Sequence, residues 1–293
     1  MMTRRSFFAA GTVALAAGCM SSKPYGGAIR PAKPAEPFRI GFAGYTFYKF
    51  KIDEALEMMK ALDVHYLCIK DFHLPMKATD AEIAAFQAKL AAAGVVGHGC
   101  GPITVATPEE ADAMFDYAKR IGVNTIVTVP MDKEKDGKKG RFASRRMCEY
   151  LSKKLAEPGN ENIRLAIHNH GPESPDLFPT GRSVYAMVKD LHPHLGLCLD
   201  IGHDFRFGYD PVDSIHECAD RIFDMHVKDE PEQSSKAWCV PAGRGKMNWK
   251  AIIHGLRDIG YSGVINIEYE KDMTKPLAGI AETVGYLRGM IDA

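Results

Sequence analysis

Residues 195–203 read Leu-Gly-Leu-Cys-Leu-Asp-Ile-Gly-His, an apolar run that ends in side chains able to bind a metal, and three other segments repeat this pattern. The four runs end, in chain order, in His168-Asn-His170, Asp200-Ile-Gly-His203, His226-Val-Lys228 and Glu268-Tyr-Glu270. Within each run, large apolar residues alternate with small or polar ones. This is the pattern of a β-strand with one face against helices and the other inside a barrel.

The alternation assigns a face to each strand residue. We place the large residues on the outer face: Leu165, Ile167, Leu197, Leu199, Phe223, Met225, Val227, Ile265 and Ile267. The opposite parity puts His168, Asp200, His226 and Glu268 last on the inner face. Because the spacing between them suits one strand, one helix and two loops per unit, we expect all four to meet at one mouth of a closed barrel.

From residue 38 onward, strand and helix signals alternate along the rest of the chain as well. Capping boxes begin two helices, at Thr79 with Glu82 and at Thr107 with Glu110. We count eight strands and eight helices, which predicts an α/β fold of the (β/α)8 TIM barrel class over residues 38–293.

An open Rossmann sheet is the weaker alternative for this rhythm, because no glycine-rich GxGxxG segment follows the first strand. In a barrel, the chemistry lies at the carboxyl ends of the strands. The segment from Lys228 to Asn248 is longer than a usual strand-to-helix loop. We therefore expect it to lie over the site.

Residues 1–37 are interpreted as a targeting signal and tether, separate from the barrel domain of residues 38–293. Thr3-Arg-Arg-Ser-Phe-Phe8 is a twin-arginine pattern, and the apolar run that follows is too short to span a bilayer. Leu15-Ala-Ala-Gly-Cys19 resembles a bacterial lipobox. We expect an exported protein, periplasmic or anchored to a membrane only through a lipid on Cys19.

The composition of the 293-residue chain is that of an ordinary globular protein, with 46% hydrophobic residues, 25% charged residues and a formal net charge of zero. Neither the net charge nor any basic, aromatic-rich stretch indicates nucleic-acid binding. The longest basic cluster, Lys133 to Arg146, is interpreted as a solvated loop after a strand. The six cysteines after Cys19 are expected to be buried free thiols, with one disulfide left open.

His168, Asp200, His226 and Glu268 together form a candidate metal site. A single His or Asp at a strand end is commonly a cap or a satisfied polar group, but four strand ends of the same parity indicate a shared ligand. Two imidazoles and two carboxylates suit one divalent ion of Mn, Co, Zn, Fe or, less well, Mg. Four protein ligands leave positions for water or substrate oxygens, which is typical of a catalytic site rather than a structural one.

Several motifs link these residues to a known family. They are Leu199-Asp200-Ile-Gly-His203, His226-Val-Lys228-Asp229, Pro241-Ala-Gly-Arg244-Gly with Asn248-Trp249, and Ile267-Glu268. With them the chain resembles the xylose isomerase-like family of sugar phosphate isomerases and epimerases over essentially all of residues 38–293. The resemblance implies that Asp200, His226 and Glu268 bind the metal and that His203 binds substrate beside it.

One position departs from the family pattern. Where the epimerases of the family carry a Glu at the end of the fifth strand, this chain has His168. In keto-sugar epimerases that Glu binds the metal and forms an acid/base pair with the residue matching Glu268. An imidazole can bind metal and move a proton, but it does not recreate a symmetrical carboxylate pair. A histidine at this position is closer to inosose dehydratase-like members.

The resemblance and the metal site together predict a divalent-metal-dependent sugar isomerase or epimerase that removes a proton next to the metal-bound carbonyl of a keto-sugar. One alternative is a lyase or dehydratase that acts on keto-glycosides or keto-cyclitols by β-elimination. A further alternative is a non-catalytic carbohydrate-binding barrel. The expected partner is a small carbohydrate, and the oligomeric state is left open.

Individual roles follow from position along the strands. Glu268 and His168 are candidates to move the proton, and Lys70 and Lys228 are candidates for the general acid or for contact with the carbonyl. Three further residues are assigned to substrate hydroxyls or anions: His73, His170 and Arg244. Arg244 lies in a glycine-rich turn that would let its backbone approach a ligand.

Overall fold

The computed structural model describes residues 39–293, which contain nine strands and nine α-helices. The strands are β1 (Arg39–Ala43), β2 (Tyr66–Ile69), β3 (Val96–Val105), β4 (Thr125–Lys135), β5 (Lys138–Ala143), β6 (Arg164–His168), β7 (Leu195–Asp200), β8 (Ile222–Val227) and β9 (Val264–Ile267). The helices are α1 (Ile52–Ala61), α2 (Asp80–Ala92), α3 (Pro108–Ile121), α4 (Arg145–Leu155), α5 (Gly181–Val188), α6 (Ile201–Arg206), α7 (Pro211–Glu217), α8 (Trp249–Asp258) and α9 (Leu277–Asp292).

Eight of the strands form a closed parallel barrel. The hydrogen-bonded order is β3-β2-β1-β9-β8-β7-β6-β4, and a further pairing of β3 with β4 closes the ring. The ninth strand, β5, pairs antiparallel with β4 alone. The chain is therefore a (β/α)8 TIM barrel with one added hairpin, which confirms the predicted fold class.

The two faces of the barrel strands pack into different cores. Leu165 and Ile167 of β6 and Leu199 of β7 belong to the large cluster that also contains the apolar helix residues. Ala166 and Cys198, of opposite parity, pack with Cys68 and Val127 in a small separate cluster. This is the arrangement predicted from the alternation, with bulky residues under the helices and small ones inside the ring.

Phe223 is an exception to the predicted parity. The pairing of β7 with β8 passes from Leu197–Ile222 to Cys198–Asp224, so one extra residue bulges from β8 at Phe223. The phenyl ring packs against the small inner cluster instead of the outer core. The prediction for this residue was wrong because a bulge shifts the alternation by one position, and Met225 resumes the outer face.

Local capping signals set several element boundaries as predicted. The Thr79 hydroxyl accepts a hydrogen bond from Glu82 N–H, and Glu82 accepts one from Thr79 N–H at 2.7 Å. Thr107 accepts from Glu110 N–H at 3.2 Å, but the Glu110 carboxylate accepts from Ala106 N–H at 2.6 Å instead of from Thr107 N–H, so only half of the second predicted capping box forms. Helix α3 ends at Ile121 and is capped by Gly122, whose φ of 73° a residue with a side chain rarely adopts.

The basic segment of residues 133–146 corrects one prediction. It is largely solvated, but it forms the β4–β5 hairpin rather than a loop. Lys135 pairs with Lys138 across Asp136 and Gly137, which both have positive φ. An Asp-Gly pair in this conformation is a favoured two-residue hairpin turn. This hairpin and the short helix α6 raise the predicted eight strands and eight helices to nine of each among residues 39–293.

The predicted targeting signal, its lipobox and Cys19 lie outside the described residues. Within residues 39–293, none of the helices combines the length and the apolar character needed to cross a bilayer. The cysteines of this part of the chain are all free and buried, as predicted: Cys68, Cys100, Cys148, Cys198, Cys218 and Cys239.

Candidate metal centre

The four predicted metal ligands come from four neighbouring strands of the barrel. His168 ends β6, Asp200 ends β7 and His226 lies near the end of β8. Glu268 follows β9 directly. Since β6, β7, β8 and β9 are hydrogen-bonded in that order, their carboxyl ends lie side by side along one half of the mouth. The structure therefore brings together the four side chains that sequence analysis grouped.

One donor atom from each side chain faces the same small volume. His168 Nε2 lies 3.0 Å from His226 Nδ1 and 3.5 Å from Asp200 Oδ2. Glu268 Oε1 lies 3.2 Å from His226 Nδ1. Ligands about 2.1 Å from a tetrahedral or octahedral ion are roughly 3.0 to 3.4 Å from one another. The spacing of these donors therefore approximates the edges of a metal coordination polyhedron.

The remaining atoms of these groups are consistent with that use. Asp200 caps helix α6, because its Oδ1 accepts a hydrogen bond from His203 N–H at 2.9 Å, so its Oδ2 is the oxygen turned toward the other donors. Two nitrogens and two carboxylate oxygens suit a borderline divalent ion. The residues present fit the metal that the sequence predicts, and the identity of that metal stays a prediction.

Lys228, a candidate for the general acid or for contact with the carbonyl, lies among three carboxylates. Its ammonium lies 2.7 Å from Glu268 Oε2, 2.6 Å from Glu270 Oε2 and 3.0 Å from Asp200 Oδ2, and its side chain is 1% exposed. Burial alone would lower the pKa of Lys228, but the three carboxylates outweigh it and hold that pKa well above its usual range. A cation held this way is a poor general acid. It instead holds the carboxylates of Asp200 and Glu268 in place.

Gly202 explains part of the Asp200-Ile-Gly-His203 motif. A Cβ at this position would overlap the Cγ of Lys228. The glycine thus allows the first turn of helix α6 to pack directly on the Lys228 stem. The motif positions the metal donor Asp200, the packing glycine and His203 in one turn.

A cavity of about 370 Å³ opens beside the donors, and we call it the mouth cavity. Five predicted site residues line it: Lys70, His168, His170, His203 and Glu268. The other lining residues were not predicted as site residues, and they include Tyr45, Arg141, Glu173, Trp238 and Glu270. Arg141 belongs to the hairpin that the sequence did not reveal, and Trp238 belongs to the long loop after β8, which we expected to lie over the site.

His170 is positioned to accept a hydrogen bond from a substrate. Its Nδ1 lies 3.1 Å from the His168 carbonyl oxygen, to which it must donate. Burial, together with His168 and Arg141, lowers the pKa of His170 to about 3. At neutral pH the imidazole is therefore uncharged and its Nε2 is an acceptor.

Two predicted substrate-binding residues lie elsewhere. His73 donates from Nε2 to the Phe50 carbonyl oxygen at 3.0 Å and is not among the residues that line the mouth cavity. Arg244 forms an ion pair with Glu282 of helix α9, and its side chain is 67% exposed. The structure does not bring either side chain to the mouth cavity, because local partners on neighbouring segments hold both.

The glycine-rich turn around Arg244 serves an internal carboxylate. Asp229 accepts hydrogen bonds from the backbone N–H groups of Gly243 at 2.8 Å and Gly245 at 3.0 Å, and from Trp249 Nε1 at 2.9 Å. The N–H groups of Glu230 and Met247 also point to it. A Cβ at Gly245 would overlap this carboxylate. The turn therefore approaches Asp229 closely, where we had expected it to approach a ligand.

This arrangement predicts a large structural role for Asp229. We expect Asp229→Ala to lower the free energy of unfolding by about 3 kcal/mol, because several buried donors lose their acceptor. Chemical denaturation followed by circular dichroism measures the change. Asp53→Ala, which removes an exposed partner of Lys89, is the control and should cost no more than about 1 kcal/mol. Equal losses in the two variants would contradict the role assigned to Asp229.

Comparison with known proteins identifies the family. The family described as "Xylose isomerase-like TIM barrel" matches residues 43–290. The chain belongs to the xylose isomerase-like TIM barrel family. This confirms the resemblance drawn from the motifs around Asp200, His226 and Glu268.

Individual relatives in the xylose isomerase-like family are distant. Inosose isomerase of Bacillus licheniformis is 25% identical over 169 residues, which cover 55% of this chain and 59% of that protein. Inosose dehydratase of Geobacillus kaustophilus is 28% identical over 126 residues, which cover 38% of this chain and 40% of that protein. The matched segments span between 36% and 59% of the curated relatives' own lengths.

A solved structure of low sequence identity shares the fold. The crystal structure of the IOLI protein with a bound zinc atom gives a TM-score of 0.62 at 19% identity. The match covers 86% of this chain and 96% of that chain. At this level of identity the likeness shows the barrel fold alone.

Proposed function

We propose that the chain is a divalent-metal-dependent sugar isomerase or epimerase, which removes a proton next to the carbonyl of a bound keto-sugar. The observation that carries this proposal is the convergence of His168, Asp200, His226 and Glu268 on one point beside the mouth cavity. Inosose isomerase among the relatives supports the same class. An ion bound by these donors would supply a Lewis acid that polarises the carbonyl.

The cavity has two chemically different walls. The metal donors lie on one half of the barrel, on β6 to β9. The ends of β1 to β4 supply the facing wall, which includes Tyr45, Lys70 and Thr104. A substrate in the cavity therefore lies between the donors and the Lys70 ammonium.

Two carboxylates can accept the substrate proton. Glu268 has one oxygen 3.2 Å from His226 Nδ1 and the other 2.7 Å from Lys228 Nζ, so both its oxygens are engaged. Glu270 shares Lys228 at 2.6 Å, lines the same cavity and does not belong to the donor set. We therefore infer that Glu268 holds the metal and that Glu270 accepts the proton.

Three other residues bind and orient the sugar. Lys70, whose Nζ pairs with Asp71 Oδ1 at 2.5 Å and donates to the Pro102 carbonyl oxygen at 3.1 Å, lines the cavity and can give a proton to a developing oxyanion. His203 and His170 line the cavity beside His168 and can exchange hydrogen bonds with sugar hydroxyls. In this proposal His168 binds the metal and completes that half of the site.

A lyase or dehydratase is the second candidate. The same proton removal leads to elimination when an acid protonates a β-oxygen leaving group, and Lys70 on the facing wall is placed for that step. Inosose dehydratase among the relatives supports this class. Because residues 1–37 resemble an export signal, we propose that the protein is exported or lipid-anchored. We further propose that its substrate is an unphosphorylated sugar.

Deuterium exchange tests the proposed reaction. The metal-loaded protein is incubated with a panel of keto-sugars and keto-glycosides in deuterated water, and products are analysed by mass spectrometry and NMR. Deuterium next to the carbonyl of an unfragmented sugar is the expected result. Release of water or of an aglycone would identify the lyase instead. A metal-loaded protein that exchanges no proton in any of these sugars would contradict both.

Glu270→Gln separates proton transfer from metal binding. We expect this variant to keep its metal and to lose exchange by about 100-fold or more, the usual contribution of a general base. Glu282→Gln, which removes the partner of Arg244 outside the cavity, is the control and should change neither quantity. Unchanged exchange in Glu270→Gln would return the proton-accepting role to Glu268.

A further inference from the structure

The mouth cavity contains a large aromatic side chain that the proposed reaction does not use. Trp238 lines this cavity and is 48% exposed, whereas Trp249, the other tryptophan of the chain, is buried. Leaving an indole in water forgoes the free energy of its burial. An exposed aromatic ring inside a binding cavity therefore indicates a surface that a ligand covers.

The ring of Trp238 is held in place from two directions. Its Nε1 donates to the Glu270 carbonyl oxygen at 3.3 Å, and the Arg206 guanidinium lies 5.3 Å from its ring centroid. Arg206 is in turn fixed by an ion pair with Glu173 and by the Ser235 carbonyl oxygen at 3.2 Å, and its side chain is 3% exposed. A buried, anchored cation thus supports the indole, which reduces the entropy cost of binding to it.

The position of Trp238 relative to the metal donors fits a ligand with two parts. Its hydrogen-bond acceptor, Glu270, follows the donor Glu268 by two residues, so the Cα atoms of these two residues are at most about 7 Å apart. That is roughly the width of one sugar ring. Since Trp238 lines the same cavity as His168 and Glu268, a second ring attached to a sugar at the donors can contact the indole.

The surroundings of Trp238 match the chemistry of a sugar ring. The indole offers a flat apolar face with a negative π-surface, which suits the C–H face of a pyranose. Arg141, Glu173 and Ser174 line the same cavity and can exchange hydrogen bonds with the ring hydroxyls. An apolar plate with polar groups beside it is the usual composition of a small-molecule subsite.

We propose that Trp238 forms a second sugar-binding subsite, so that the substrate is a glycoside or disaccharide with its reacting unit at the metal donors and its second ring on the indole. The identity of the reacting unit rests on the proposed function. The subsite itself does not depend on the reaction, and it can be tested with ligands that do not react.

Binding of unreactive sugars tests this subsite. The probes are methyl glucoside, galactoside and mannoside, together with methyl maltoside, cellobioside, lactoside and mannobioside, and binding is followed by tryptophan fluorescence and calorimetry. We expect at least one two-ring probe to bind about 10-fold more tightly than its one-ring counterpart and to change the emission of Trp238. A panel in which no two-ring probe is preferred would overturn the proposal.

Two variants identify the residue responsible. Trp238→Ala is expected to abolish the two-ring preference in calorimetry, and Trp238→Phe to retain part of it. Tyr209→Ala is the matched control, because Tyr209 is also an exposed aromatic residue with an arginine, Arg182, 5.3 Å from its ring centroid, but it does not line the mouth cavity. A preference that survives in Trp238→Ala would also overturn the proposal.

The outcomes distinguish the subsite from the reaction. The methyl glycosides carry no carbonyl group, so their binding reports on the subsite alone. A two-ring preference without deuterium exchange would reject the proposed reaction and keep the subsite. Deuterium exchange in single-ring keto-sugars without any two-ring preference would reject the subsite and keep the reaction.

Discussion

The Asp200→Asn variant is expected to lose its divalent metal and to lose turnover by about 1,000-fold or more, beyond the roughly 10- to 100-fold cost of altering a group that only supports a ligand. The amide replaces a charged donor with a neutral one at the point where His168 Nε2 and Asp200 Oδ2 approach within 3.5 Å. Metal content after dialysis, measured by mass spectrometry, and deuterium exchange are the two readouts. We expect His226→Ala to behave in the same way.

The asparagine substitution preserves the fold better than alanine. Its amide oxygen can still accept the His203 N–H at the start of helix α6, as Asp200 Oδ1 does at 2.9 Å. Asp210→Asn is the matched control, because Asp210 also caps a helix, α7, away from the cavity. That control should retain metal and turnover. Full metal stoichiometry in both Asp200→Asn and His226→Ala would refute the ligand assignment.

Lys228→Met is expected to destabilise the protein by about 3 to 5 kcal/mol, the usual cost of removing one partner from a buried ion pair. Methionine keeps most of the volume and leaves Asp200, Glu268 and Glu270 without the ammonium that lies within 3.0 Å of each. Urea denaturation of the metal-free protein measures the change in the free energy of unfolding. Metal-free protein is used because a bound cation would partly replace the lost charge.

A surface lysine provides the control for this prediction. Lys89→Met removes an ion pair with Asp53 at 2.7 Å between two well-exposed side chains, so we expect a change of no more than about 1 kcal/mol. A Lys228→Met variant as stable as the Lys89→Met control would show that the buried ammonium does not stabilise the carboxylates around it.

The barrel and its metal donors could be predicted because their signals are periodic and local. Alternation along the strands placed His168, Asp200 and His226 on one face, and the Thr79 and Thr107 caps marked helix starts. The bulge at Phe223 could not be predicted in this way, because it depends on how β8 pairs with β7. Periodicity describes one strand, whereas register belongs to two.

The residues that line the cavity from loops and from the hairpin were harder to predict. Arg141 and Trp238 line the cavity because of the path that the hairpin and the long loop after β8 take, and such a path leaves no repeating pattern in the sequence. The glycine-rich turn before Trp249 correctly indicated a close backbone approach. It did not indicate that the turn approaches Asp229, which lies 14 residues before Gly243 in the sequence and accepts a hydrogen bond from its N–H group.

Because the metal donors come from four adjacent strands of the barrel, the sequences of the other four strands can change without altering the donor set. Recombination at the junction between β4 and β6 would join the half that carries the four metal donors to different facing walls. Chimeras that exchange residues 39–143 for the equivalent part of a relative should therefore inherit a new sugar preference and keep the original metal affinity. Such an arrangement would let one metal site serve ligands that differ in the part facing β1 to β4.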